Sequence, residues 1–190
     1  MRRLAISTLT LMAGLTLLGP SVEAQSDDTV PPDAVSGAGS DAVGRVDVLQ
    51  VSGFFDPILV DAVGDAIDRA ATDGSQALIL QVNSDATVVD DDVVEDLLVR
   101  VANAPIPIGI WVGPSGARFY GTAAQLLAVA DVTGMAPGSR VGYIGVPLDP
   151  PGLPDGTSVD FGTAEDLLRN GSIGLSDARL LGVFKQRVDD

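Results

Sequence analysis

An α/β fold with a largely parallel sheet is predicted by two observations. Short β-rich runs alternate with longer amphipathic runs from residue 46 onward, and Gly, Pro, Asp or Asn marks the junctions between them. A third observation sets the scale: 190 residues, 46% of them hydrophobic, suffice for one core-bearing domain and are too few for two of ordinary size. Parallel neighbours require crossover connections, which are right-handed.

VDVLQV (Val46 to Val51) has strand composition. PILVDAVGDAIDRAA then places Leu59, Val63, Ala66, Ile67 and Ala70 on one helical face and Asp61, Asp65 and Asp68 on another. ALILQV (Ala77 to Val82) is the second strand. Asp90, Asp91 and Asp92 supply N-terminal carboxylates to a helix carrying Val93, Val94, Leu97, Leu98 and Val101. IPIGIWV (Ile106 to Val112) is the third strand and ends in the turn GPSG. TAAQLLAVA is the third helix, and DVTGMAPGSRVGYIGV gives short extended pieces. Ligands of such folds gather where strand C-termini meet helix N-termini, here residues 83–87 (NSDAT) and 113–122 (GPSGARFYGT).

The ends of the chain have a different character. Arg2 and Arg3 precede an apolar run from Leu4 to Leu18, and Val22 and Ala24 stand at the spacing a signal peptidase accepts. Residues 1–24 are therefore expected to be a signal peptide, with an uncleaved anchor as the other reading. Export follows, to an extracytoplasmic or secreted location, with tethering and membrane contact only if that segment is retained. Residues 25–44 combine Ser, Asp, Pro and Gly as a flexible linker does, so the domain is expected over 45–190.

Composition excludes several functions. A net charge of −15, one unit more negative once Arg2, Arg3 and Glu23 are removed, repels nucleic acid and anionic lipid. No cysteine or histidine is present, so disulfides and soft-metal sites are excluded and only carboxylate sites for hard cations remain. Asp90 to Asp92 could be such a site, but three aspartates at a helix start more often serve the helix dipole, and no metal or other cofactor is expected.

At the two junctions the sequence resembles the NfeD-type membrane-bound serine proteases of the ClpP class, within the ClpP/crotonase superfamily. The resemblance is carried by VDVLQVSGFFDPILVDAVGDAIDRA, by ALILQVNSDAT, by IPIGIWVGPSGARFYGTAAQLLAVADVTGMAPGSRVGYIGVP and by SIGLSDARLLGVFKQ. These are similar, in turn, to the family's opening strand and helix, its strand before an oxyanion Gly-Gly, its nucleophile helix with the Met-Ala-Pro-Gly turn, and its closing segment. Gly116, Ala117, Met135, Ala136, Pro137 and Gly138 match at the family's spacing. The resemblance implies a ClpP/crotonase-like spiral of βαβ units, peptide chemistry in a cleft, and self-association into homo-oligomers.

The same resemblance exposes what is different. The family's nucleophilic serine falls on Gly121, and its oxyanion Gly-Gly falls on Ala86 and Thr87, after Asp85 in place of Pro. The family's lysine base lies on a helix before the closing segment, where residues 147–165 are Pro- and Gly-rich and lack lysine. The only lysine, Lys185, lies beyond the closing Gly-Val. A Ser–Lys dyad needs both partners within hydrogen-bond reach. The expectation is a catalytically inactive homologue that binds a protein or peptide partner, with candidate contacts at Thr87, Gly116, Ala117, Phe119, Tyr120 and Gly121. The alternative is a serine peptidase or other hydrolase with relocated groups. Ser115 and Ser139 are near the cleft in sequence but have no base beside them, and turn-forming is their ordinary role. Phe119 and Tyr120 are bulky where the family prefers small residues, so they are expected either to fill the cleft or to form a partner patch.

Overall fold

A computed structural model of the chain describes residues 44–185; the expected signal segment and, but for Gly44, the expected linker lie outside these residues. Four strands, β1 (Val46–Ser52), β2 (Ala77–Asn83), β3 (Ile108–Val112) and β5 (Val132–Met135), form one sheet in the order β1-β2-β3-β5, every pair parallel. Helices α1 (Pro57–Thr72) and α2 (Asp91–Ala102) supply the first two crossovers. A short α3 (Leu126–Val129) precedes β5. The ladders put Leu78, Leu80, Val82, Ile108, Ile110 and Val112 on the helix-covered face, each nearly fully buried beneath Val63, Ile67, Val94 and Leu98. The amphipathic pattern read from the Asp and Leu/Val/Ile positions therefore selects the covered face.

A second sheet of three short strands, β4 (Arg118–Tyr120), β6 (Arg140–Gly142) and β7 (Ser172–Gly174), has the order β4-β6-β7, with β4 and β6 parallel and β7 antiparallel to β6. Between β6 and β7 lies α4 (Glu165–Asn170), and α5 (Leu175–Leu180) follows β7. β4 falls within the junction 113–122, where the sequence pattern assigns no element. Its three residues sit between Gly116 and Gly121, too few to show an alternation, and they are extended because Val141 and Ser84 pair with Phe119 on either side. The third helix is also shorter than its pattern: Thr122–Gln125 is a 3-10 turn, and Ala130 is already extended so that Asp131 can begin the approach to β5. The Asp131 carboxylate accepts the Ile108 N–H at 2.8 Å and fixes that turn.

Helix starts differ in how they are capped. At α1 the extended Asp56 accepts the Leu59 N–H at 2.9 Å and Pro57 follows as the first helical residue. At α2 the extended Asp90 makes no side-chain cap; Asp92 accepts the Val93 N–H at 2.9 Å, and the aspartates act on the dipole. Asp56→Ala is accordingly expected to cost about 0.5–2 kcal/mol by urea unfolding, whereas Asp90→Ala should cost less.

Candidate functional site

The two junctions singled out in the sequence meet. β3 ends in Gly113–Pro114, a cis peptide, and the chain turns through Gly116 (φ +82°) into β4. Gly116 donates its N–H to Pro137 O at 3.3 Å, Ser139 Oγ donates to Pro114 O at 3.1 Å, and Arg140 N donates to Ala117 O at 2.9 Å. Gly116-Ala117 and Met135 to Gly138, separate in sequence, are thus neighbours in space. From the other side, Ser84 N donates to Arg118 O at 2.7 Å and Tyr120 N to Ser84 O at 3.0 Å, which ties the end of β2 to β4.

Gly121 and Thr87 face each other at the centre. Gly121 has φ +93°, a conformation that L side chains rarely adopt, and it opens the 3-10 turn. A Cβ at this position would stand 2.5 Å from Thr87 Oγ1, 2.7 Å from Thr87 N and 2.9 Å from Thr87 Cβ. The Thr87 hydroxyl accepts the Ala123 N–H at 3.0 Å and donates to Tyr120 O at 3.4 Å. Thr87 therefore fills the space a side chain at 121 requires and caps the start of the turn with its own oxygen. Thr87 is itself fixed by pairing with Phe55: Phe55 N donates to Ala86 O at 2.8 Å and Val88 N to Phe55 O at 3.0 Å. The Ala86 carbonyl also accepts the Ser84 hydroxyl at 3.2 Å.

The 3-10 turn is locked from below by Gln125, which is fully buried. Its amide nitrogen donates to Ile144 O at 2.8 Å and Val146 O at 2.9 Å, and its amide oxygen accepts the Leu148 N–H at 2.8 Å. One side chain thereby satisfies three backbone groups of a segment without regular structure. That segment goes on to Gly152, whose carbonyl accepts Asn103 Nδ2 at 3.0 Å from the end of α2.

Several of the groups able to act as a nucleophile or base are engaged elsewhere. Ser84 and Ser139 donate to carbonyls, and Ser115 is exposed on the turn. Lys185 donates its ammonium to Ala128 O at the end of α3, and burial pushes it below the usual lysine value, with Asp131 opposing. The helix before the closing segment is α4, and its basic residue is Arg169, paired with Glu165 at 2.7 Å. A guanidinium has no lone pair to act as base in a protein. Among the described residues no group of three acidic or other ligating side chains is placed to hold a metal ion.

The candidate contacts divide. Gly116 is exposed and Thr87, Tyr120 and Gly121 are half-buried, whereas Phe119 and Ala117 are buried. Phe119 must be corrected from candidate contact to core residue. It is fully buried against Phe55, ring centroids 6.3 Å apart, because β4 pairs on both edges and turns that residue inward. Two further aromatics are exposed: one in GFF (53–55), a stretch that with RFYG raises the question of a binding surface in the sequence, and one that the sequence reading missed. Phe54, not Phe55, is the exposed ring of GFF, and Tyr143 (φ +55°) packs edge-on against Tyr120 at 5.1 Å. The signal for Tyr143 is its place between glycines in the run GYIG that follows the Met-Ala-Pro-Gly turn.

No family model matches the sequence, and no curated protein matches it significantly. Solved structures do match. The 1510-N membrane-bound stomatin-specific protease, as a lysine-to-alanine variant in complex with a substrate peptide, aligns at TM-score 0.61 and 20% identity over 78% of this chain and 77% of that one. A serine-to-alanine variant of the same protease gives 0.58 and 20% over 77% and 81%. The enzyme from Pyrococcus horikoshii, described as specific for a stomatin homolog, gives 0.58 and 18% over 78% and 76%. The chain thus has the mixed α/β, largely parallel, ClpP-like fold of this membrane-bound protease.

Proposed function

We propose that the protein is an exported, non-hydrolytic homologue of the ClpP-class, NfeD-type serine proteases, which holds a peptide or protein segment at the cleft and works by binding and assembly. The observation that carries this reading is the Thr87 side chain standing where a residue at 121 would need to project, against a glycine at φ +93°. The missing nucleophile, the altered oxyanion segment at Ala86 and Thr87, and the engagement of Lys185 with Ala128 O all point the same way. Binding is supported by the exposed apolar groups around the site: Phe54 and Val88 flank the Phe55–Thr87 pair, and Tyr143 lies beside Tyr120. The peptide complex of the structural neighbour supports a peptide as the ligand class. Export rests on the pattern of residues 1–24.

The test is labelling of the purified protein with a fluorophosphonate, a serine-reactive probe. No labelled residue is expected. Reproducible labelling that disappears on Ser115→Ala, or on replacement of any other serine, would overturn the proposal in favour of a hydrolase with relocated groups. In the binding assay the informative variants are Tyr120→Ala and Tyr143→Ala; truncating the buried Phe119 would cost about 3–5 kcal/mol of stability and confound binding with folding.

A further inference from the structure

Phe54, Ile58 and Val88 are 62%, 75% and 57% exposed, and all three belong to the end of the first sheet where β1 and β2 finish. Their exposure is fixed by the backbone. Phe55 turns inward to pair with Thr87, so by the alternation of extended chain Phe54 and Val88 face outward on the two sides of that bridge. Gly53 N donates to Asn83 O at 3.1 Å and Val88 N to Phe55 O at 3.0 Å, which pins both segments. Ile58 stands in the first turn of α1, set by Pro57 and the Asp56 cap. Three large apolar side chains are thus held out on fixed backbone, and a partner meets them without first ordering a loop.

The charge around them has one sign. Residues 53–68 and 84–99 hold ten carboxylates and neither lysine nor arginine. Two of the ten are neutralised from outside: Asp68 by Arg100 at 2.6 Å and Asp85 by Arg118 at 3.1 Å. The others, exposed Asp90, Asp91 and Asp92 among them, have no ion pair among the described residues. Helix starts ordinarily favour an anion, so the sign has to be decided by magnitude. The first turns of α1 and α2 contribute about half a positive charge each, against the full negative charges of Asp56, Asp90, Asp91 and Asp92. The carboxylates win, and an anionic partner is repelled.

We propose that this surface docks a cationic peptide segment, one that carries Lys or Arg beside large apolar residues. The apolar residues of the segment cover Phe54, Ile58 and Val88, and its cations lie over Asp90, Asp91 and Asp92, which steer the encounter and fix its orientation. The inference rests on the proposed binding function and deepens it, because it names the class of peptide held beside Thr87.

The full chain, purified as the cell produces it, is titrated by fluorescence anisotropy into three labelled peptides that share one set of Leu and Phe positions and differ only in carrying Lys, Gln or Glu between them. The Lys peptide is expected to bind at least about tenfold more tightly than the Glu peptide, with Gln between them. Its advantage over Gln should vanish in about 1 M salt, where charges are screened beyond roughly 3 Å. Asp90→Asn/Asp91→Asn should weaken the Lys peptide about 3- to 30-fold and leave the Gln peptide unchanged. Asp149→Asn/Asp155→Asn removes the same charge from the exposed segment that Asn103 holds at the far end of α2, and should change neither. Phe54→Ser, on an exposed position, should weaken the Lys and Gln peptides alike, with circular dichroism unchanged. Equal binding of the Lys and Glu peptides, or preference for Glu, overturns this inference while leaving the proposed binding function standing. Equal weakening by the two double variants assigns the attraction to net charge and overturns it too. Binding of none of the three overturns both.

Discussion

Gly121→Ser, the substitution that places a hydroxyl where the resemblance puts the proteases' nucleophile, is expected to destabilise the protein by roughly 2–6 kcal/mol and to produce no hydrolysis. Two costs combine. The backbone at φ +93° disfavours any Cβ, and that Cβ would stand within 3 Å of Thr87 Oγ1, N and Cβ. Only part of this is side chain, because Thr87 N is backbone and stays where the Phe55 pairing holds it. Thr87→Gly in the same chain should therefore recover some but not all of the loss, with a coupling of about 0.5–3 kcal/mol between the two sites. Urea unfolding of the two single variants and the double variant measures that coupling, with circular dichroism as the signal. Strict additivity would mean that Thr87 does not occupy the space claimed for it.

Gln125→Leu should be comparably severe, at roughly 3–5 kcal/mol. It is close in volume, so the loss is not of packing but of partners: Ile144 O, Val146 O and Leu148 N are left without them, each orphan costing about 1–3 kcal/mol where water does not enter. The released segment beyond Val146 is rich in Pro and Gly and has no ladder of its own. Limited proteolysis should then cut first between residues 147 and 156 in the variant, at protease concentrations that leave the parent intact. Loss of stability with an unchanged cleavage map would show that Gln125 supports only the turn and not that segment.

The long elements were legible in the sequence because their patterns are long. Sixteen residues of α1 and seven each of β1 and β2 carry enough apolar repeats to declare their period, and the structure places them as expected. β4, with three residues, owes its conformation to Ser84 and Val141 on its two flanks, partners that lie 35 and 22 positions away from Phe119. Pairing at that distance leaves no local mark. The inward turn of Phe119 has the same origin, and so does the misassigned candidate contact. At the site, the identity of position 121 was read by counting from Gly116, but the reason it is glycine was not. That reason is Thr87, 34 residues upstream, whose side chain arrives only when β2 and β4 are bridged. Gln125 carried no signal in a run of alanines and leucines, since its three backbone partners become adjacent only in the folded chain.

Whether the cleft holds peptides without cutting them is tested most directly by incubating the protein with a defined peptide mixture and analysing both the retained and the released fractions by mass spectrometry. Retained peptides of unaltered mass, lost on Tyr120→Ala or Tyr143→Ala, are the predicted result. New peptide termini that accumulate with time and vanish when a single serine of the protein is replaced by alanine would contradict it.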